Sequence, residues 1–385
     1  MAVWHLITGE YPPQPGGVSD YSRLVACGLA GAGDEVHVWA PECTAQLQSD
    51  GGVVVHRLPG HFGPRALTAL ARSIDSPGQS RMLVQYVPHA FGFKAMNLPF
   101  CLWLFGRRHS RTAVMFHEVM FPMRVSQPLK HNIIGLTTRL MTMLVARSAE
   151  RIFVATPLWE DLLRRFIGPH NSISWLPVPS NIPVVDNSAG VAATRLAYSP
   201  SGAPLLGHFG THSGLVGRSV EDLLKPVLER RPDARILLIG ANSTNFRDRW
   251  VGAHPGLADR VYATGALAPD RLSLALQACD VMIQPYPDGI STRRGSVMAP
   301  LAHGRAVVTT NGVATEPLWA QSGAVAMAPV GDWVFMQSLI ARMLADEGER
   351  LRAGSVARNL YAQRFAVEHT IGALRAPECT SPHPC

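Results

Sequence analysis

Short apolar runs of strand length alternate with longer amphipathic stretches along this 385-residue chain, and they do so twice, on either side of one proline-rich interruption. Residues 3–8, 35–40, 53–58, 82–86, 112–116 and 151–155 have the length and apolar content of strands, while 18–30, 65–71, 91–105, 129–149 and 157–166 read as helices. Between 176 and 204, Pro177, Pro179, Pro183, Asn187, Gly190, Pro200 and Pro204 shift the composition to that of a linker. The alternation then restarts, with strands over 205–209, 235–240, 260–265, 281–284, 305–310 and 324–328 and helices over 220–229, 271–278, 297–302, 332–346 and 347–365. Repeated βα units confine the chain to parallel sheets covered by helices on both faces. The expected fold is therefore α/β, two doubly wound Rossmann-like domains over 1–178 and 179–366 facing a cleft, with a proline-rich tail over 377–385 left disordered.

Composition narrows the partners. With 16% charged and 47% hydrophobic residues the chain is not disordered. A net charge of +7 fits an acidic ligand or an anionic membrane face, and the absence of zinc-finger, RNP-type or long basic segments argues against nucleic acid. Six cysteines without C-x-x-C spacing suggest neither a zinc site nor a disulfide framework. The first apolar run is strand-length and lacks a basic flank, and the apolar patch at 98–105 is too short to span a bilayer, so a cytoplasmic location is expected. Peripheral contact with the inner face of a membrane stays open. Arg107, Arg108, His109 and Arg111 follow the apolar helix, and Lys130, His131, Arg139 and Arg147 sit among leucines and methionines over 129–149. These helices are either a basic amphipathic surface or core packing with solvated ends.

The densest chemistry lies over 285–312. Pro285, Pro287 and Gly289 end a strand, and the loop then carries Ser291, Thr292, Arg293, Arg294, Gly295 and Ser296 before a small-residue helix closed by Gly304. Free N–H groups at a helix N-terminus, two guanidinium groups and two hydroxyls make a phosphate cradle. The alternative is a solvated surface pair. Pro300 requires the helix to begin after Ser296 or to bend. Asp288 either hydrogen-bonds sugar hydroxyls or caps the turn. In the first half, a strand, the loop Gly9–Gly17 and a helix have the order of a nucleotide-binding unit without its G-x-G-x-x-G spacing, so Gly16 and Gly17 are a phosphate turn or a turn alone. His117 and Glu118 end the strand 112–116, where a working side chain is placed in α/β domains. No Asp-x-Asp occurs, so no metal anchor is expected.

Gly9-Glu10-Tyr11-Pro12-Pro13 with Gly16-Gly17-Val18 and Tyr21, a His after Phe116, and Ala302-His303-Gly304-Arg305-Ala306-Val307-Val308-Thr309-Thr310 together resemble the family-four glycosyltransferases, retaining enzymes of the two-Rossmann-domain B type. The resemblance implies a first domain that binds a carbohydrate or lipid-linked acceptor through Tyr11, Tyr21, Gln85, His89 and Glu118, His89 being structural or acceptor-side. It implies a second domain that holds a UDP- or GDP-type sugar donor, with no cofactor, and a final helix over 367–376 returning to the first. The implied donor set is Gly16, Gly17, Thr211, His212, Arg218, Ala266, Leu267, Arg293, Arg294, Gly295, Ser296 and Glu316, with His117, Asp288 and Arg218 in catalytic positions. Where the family usually carries a glutamate pair this chain has Ser291 and Ala299. The usual loop Lys is replaced by Arg218, and the usual Arg by Thr211 or His212. Arg293 and Arg294 compensate, and a subset with an R-R-G-S loop is the closer likeness. The expected reaction is retaining, metal-independent sugar transfer to a hydroxyl in polysaccharide, glycolipid or natural-product synthesis. Two other classes remain. A sugar-nucleotide 2-epimerase-like isomerase needs acidic bases, for which Glu10, Glu118 and Asp288 are the candidates, and a catalytically silent nucleotide-sugar-binding module needs none.

Overall fold

The structure is a computed structural model and describes residues 1–43, 49–74, 80–108, 111–168 and 171–377. His109, and all of the expected tail but Pro377, lie outside the described residues. The chain divides into two compact units, Met1–Pro177 with Val367 onward, and Val178–Ala366.

The first unit runs β1 (Val3–Thr8), α1 (Gly17–Gly31), β2 (Glu35–Pro41), β3 (Ser49–Asp50), β4 (Val53–Leu58), α2 (Pro64–Ile74), β5 (Ser80–Tyr86), α3 (Leu98–Phe105), β6 (Thr112–Phe116), α4 (Leu129–Ser148), β7 (Arg151–Val154), α5 (Leu158–Leu163) and β8 (Ile173–Trp175). Among the described residues these strands form an eight-stranded sheet in the order β3-β4-β2-β1-β5-β6-β7-β8. Every pair is parallel except the short β3–β4 edge. Helices cover both faces, so central strands are apolar on both sides and read as continuous runs rather than alternating ones. One face packs Ile7, Val84, Tyr86 and Phe116 against Phe62, Phe91, Phe100 and Met141.

The second unit runs α6 (Ser188–Tyr198), β9 (Leu205–Phe209), α7 (Gly214–Arg230), β10 (Arg235–Ile239), α8 (Ser243–Ala253), β11 (Val261–Ala263), α9 (Pro269–Ala278), β12 (Val281–Gln284), α10 (Gly295–Ala302), β13 (Ala306–Asn311), α11 (Pro317–Ser322), β14 (Ala326–Pro329), α12 (Trp333–Ala345) and α13 (Glu347–Arg364). Its six described strands are all parallel, in the order β11-β10-β9-β12-β13-β14, with a separate apolar core on each face. The final helix α14 (Val367–Arg375) belongs to the first unit. It lies against α1, where Ile371 sits so close to Gly28 that a methyl there would touch it, and Arg375 pairs with the buried Asp34 at 2.9 Å. Arg151 on β7 caps its end, donating to the Leu374 and Ala373 carbonyls at 2.9 and 2.5 Å.

Three local expectations change. The stretch read as linker holds α6, because Asn187 accepts the Gly190 N–H as an N-cap at 2.8 Å and Arg195 ties the helix to Asp280 and the Ala278 carbonyl at 2.8 Å each. Prolines on both sides of the helix masked it. Helix α7 begins at Gly214, so Arg218 stands on its second turn rather than in a loop. Helix α10 begins at Gly295 and keeps Pro300 in its interior. The missing proline N–H would have served the Ser296 carbonyl, and Gln284 Nε2 donates to that carbonyl instead at 3.1 Å.

Candidate active site

In the second unit the carboxyl ends of β9, β12 and β13 are neighbours in the sheet, and the loops after them carry Thr211, His212, Arg293, Arg294 and Glu316 of the expected donor set. The loop after β12 is built around Asp288. Arg293 Nη2 donates to Asp288 Oδ2 at 2.6 Å, and Arg294 Nη2 donates to Asp288 Oδ1, so one carboxylate holds both guanidinium groups. Asp288 thus anchors both arginines, and its side chain stays 29% exposed. Arg294 stands at the N-cap of α10 and lies over the buried Tyr286 ring at 4.4 Å, while the Tyr286 hydroxyl bonds Ser296 Oγ at 2.7 Å. Burial, and then the like charge of Arg293, pulls the Arg294 guanidinium below its usual value. A cation held in that state gains from an arriving anion. Two arginines on one carboxylate leave one net positive charge beside the N–H end of α10.

Glycines let two loops meet here. Gly289 has φ +93°, and a methyl on it would collide with Thr315 Oγ1 and the Gly312 backbone; Gly312 in turn lies against the Asp288 carbonyl. Glu316 is buried, and its carboxylate already accepts from Thr292 N–H at 3.0 Å, Thr292 Oγ1 at 2.8 Å and Trp319 Nε1 at 2.7 Å. Its described contacts fasten the Arg-bearing loop to α11. Ser291 and Ala299, which stand in the places of the glutamate pair, are fully buried, and Ser291 Oγ has no partner.

Below the loop after β9, His208 donates from Nδ1 to the Ile283 carbonyl at 2.8 Å, which leaves Nε2 a bare buried acceptor. His212 packs edge-on against it at 4.9 Å in a left-handed conformation, φ +53°. Burial holds His208 down to about 4, and burial with the neighbouring His208 holds His212 down to about 3, so both are neutral near pH 7. Thr211 is exposed and takes a hydroxyl bond from Ser213 at 3.2 Å; Arg218 is exposed on α7. Ala266 is exposed and Leu267 half-buried, between β11 and α9. Residues missed by sequence reasoning are Gln284, His208 and Tyr286. Gln284 Nε2 joins the Phe209 and Ser296 carbonyls at 3.1 Å each, while its Oε1 is buried without a partner. A polar Gln closing an apolar strand just before Pro285 was the available signal.

In the first unit the ends of β1, β5 and β6 are adjacent. His117 Nε2 meets Gln85 Oε1 at 2.8 Å, and its ring stands edge-on to Tyr21 at 4.7 Å. Full burial drives it down to about 4, so it is a neutral imidazole that donates from Nε2 to the Gln85 carbonyl oxygen. Gln85 Nε2 is buried without a partner. His89 pairs with Glu118 at 3.4 Å, and that contact raises the His89 imidazole above its usual value. The Glu10 carboxylate, pushed up by burial, caps α1 by accepting from Ser19 N–H at 3.3 Å, and Gly16 leaves room for it. Gly17 opens α1. Tyr11 is brought elsewhere: its buried hydroxyl reaches Asp50 on the edge strand β3 at 3.3 Å.

The two parallel-sheet Rossmann-like units have the fold of the B-type glycosyltransferases. Sucrose-phosphate synthase from Thermosynechococcus elongatus superposes with a TM-score of 0.75 at 16% identity, covering 97% of each chain. HepE from Anabaena, solved in complex with UDP, gives 0.69 at 17% identity, over 97% of this chain and 98% of that one. WaaG, a glycosyltransferase involved in lipopolysaccharide biosynthesis, gives 0.69 at 13% identity over 97% of this chain and 100% of that one. No curated protein matches the chain in sequence. Residues 16–179 match the glycosyl transferase 4-like domain and residues 214–346 the glycosyl transferases group 1, so the chain is a glycosyltransferase carrying these two domains in order.

Proposed function

We propose that the protein transfers a sugar from a UDP- or GDP-type donor to an acceptor hydroxyl with retention of anomeric configuration. In this reading the second unit holds the donor and the first the carbohydrate or lipid-linked acceptor. The observation that carries it is the Arg293–Asp288–Arg294 fork at the N-terminus of α10, a partly neutralised cationic site at a parallel strand's carboxyl end. HepE has been solved with UDP-glucose, which supports a nucleotide-sugar donor. As the bond from the anomeric carbon to the diphosphate breaks, negative charge grows on the departing oxygen. Arg293 and Arg294 face that charge, with Arg218 on α7 as a third cation, while the acceptor oxygen takes the carbon and its proton leaves with the diphosphate. His117 meets the sugar or acceptor as a neutral imidazole whose Nδ1 accepts. Arginines in place of an acidic metal anchor make the reaction metal-independent, since no Asp-x-Asp is present. The fork itself fits the R-R-G-S subset of family four, and a biosynthetic role in polysaccharide, glycolipid or natural-product assembly follows.

A panel of nucleotide sugars, assayed for free nucleoside diphosphate with and without acceptors and with and without EDTA, tests this. Release that depends on acceptor and survives EDTA is expected. Epimerised sugar, binding without turnover, or activity lost to chelator and restored by magnesium would each contradict it.

A further inference from the structure

We infer that the outer face of α4 and the loop before it form a docking surface for an anionic lipid bilayer. Leu129, Ile133, Leu136 and Leu140 are spaced four, three and four residues apart, and each is 42–75% exposed. At α-helical pitch they fall within an arc of about 60°. Gly135, Thr138, Met141, Thr142 and Val145 take the opposite face into the sheet. A core helix has no use for a second apolar stripe turned to water. Val125, fully exposed, with Met123 and Phe121, extends the stripe into the preceding loop. That loop is held in place. Gln127 donates to the Pro122 carbonyl at 3.0 Å and to Asn132 Oδ1 at 2.6 Å, Asn132 donates to the Arg124 carbonyl at 3.1 Å, and Arg139 donates to the Phe121 carbonyl at 3.0 Å. The apolar side chains are thus presented by a built element.

Charge selects the partner. Between Glu118 and Glu150 there is no Asp or Glu, while Arg124, Lys130, Arg139 and Arg147 are present, and Arg147 falls on the same helical face as the stripe. Exposed leucines on a segment whose charged residues are all cations match the interface of an anionic bilayer, where the apolar stripe enters the headgroup boundary and the basic groups meet lipid charge. No helix among the described residues is long and apolar enough to cross a membrane, so the surface lies on the bilayer. The inference rests on the first unit alone and is independent of the donor reading.

Vesicle co-sedimentation of the full chain tests it, using phosphatidylcholine alone and phosphatidylcholine mixed with phosphatidylglycerol. The wild type is expected to pellet with the anionic vesicles, less with the neutral ones, and less again as salt rises. The pair Ile133→Glu and Leu136→Glu should lower the partition at least about tenfold, whereas Leu196→Glu, an equally exposed leucine on α6, should leave it unchanged. Melting temperatures establish that the variants fold, and Ile133→Ser with Leu136→Ser is the milder pair if the glutamates do not. Equal binding by the stripe variant and the wild type overturns the inference. So does salt-insensitive binding to neutral vesicles, and so does a wild-type dimer that the stripe variant turns into a monomer.

Discussion

Asp288 sets the electrostatics of the donor side at the scale of single residues, because it ties two arginines that would otherwise repel into one fork with a single net charge. Sequence showed the arginines and their place before a helix. It did not show that one carboxylate, six residues or fewer away, would take both, since that depends on how Gly289 folds the loop back. Tyr11 illustrates the converse: its motif position suggested a ligand contact, but the pairing of β3 with β4 puts Asp50 within its reach. Buried histidines give a pH prediction. His117 and His208 titrate at about 4 when folded against 6.5 when not, both through burial. The unfolded chain therefore binds these protons first as pH falls, so their stability contribution is whole above pH 6.5 and drains toward pH 4. Between pH 7 and pH 5 each should cost roughly 2 kcal/mol. Urea unfolding across that range reads the loss, which His117→Gln should reduce, and a flat profile would contradict it.

Single elements were legible where a short apolar run stood out from its flanks, as in β6 and β12, whose bounds match those read from the sequence. They were not legible where long-range partners override local signals. Helix α6 survives among prolines because Asn187 caps it and Arg195 anchors it. Helix α10 tolerates Pro300 because Gln284, on the strand before it, supplies the donor that the proline lacks. No window of sequence around Pro300 contains that fact. It carries a prediction: Gln284→Leu, close in volume, strands the Ser296 and Phe209 carbonyls without their side-chain donor. Each stranded carbonyl costs about 1–3 kcal/mol if wholly unsatisfied, so the variant should unfold at clearly lower denaturant, with unchanged slope. Wild-type stability in this variant would show that the α10 turn closes without Gln284.

The whole molecule is two doubly wound units, and the chain leaves the first at Pro177 and re-enters it at Val367. The repeated βα order made the fold class readable, because parallel sheets buried on both faces write continuous apolar strands. The docking of α14 was less readable. It depends on Gly28 admitting Ile371 and on Arg375 finding Asp34, partners more than 300 positions apart. Ending the chain at Ala366 should therefore expose the Gly28 side of α1, leave Asp34 without its arginine and destabilise the first unit. Calorimetry should show a transition that moves down in temperature for that unit and stays in place for the second. A shift of both or of neither would contradict the assignment of α14 to the first unit's core.

In the proposed reaction the fork beside α10, with Arg218, grips a nucleoside diphosphate. Titration calorimetry of UDP and GDP in EDTA into the wild type and into Arg293→Ala, Arg294→Ala and Arg218→Ala tests it directly. One of the nucleotides should bind the wild type, and its dissociation constant should rise at least about tenfold, or about 1.4 kcal/mol, when either fork arginine is removed. Unchanged affinity in all three variants, or no binding of either nucleotide by the wild type, would contradict it.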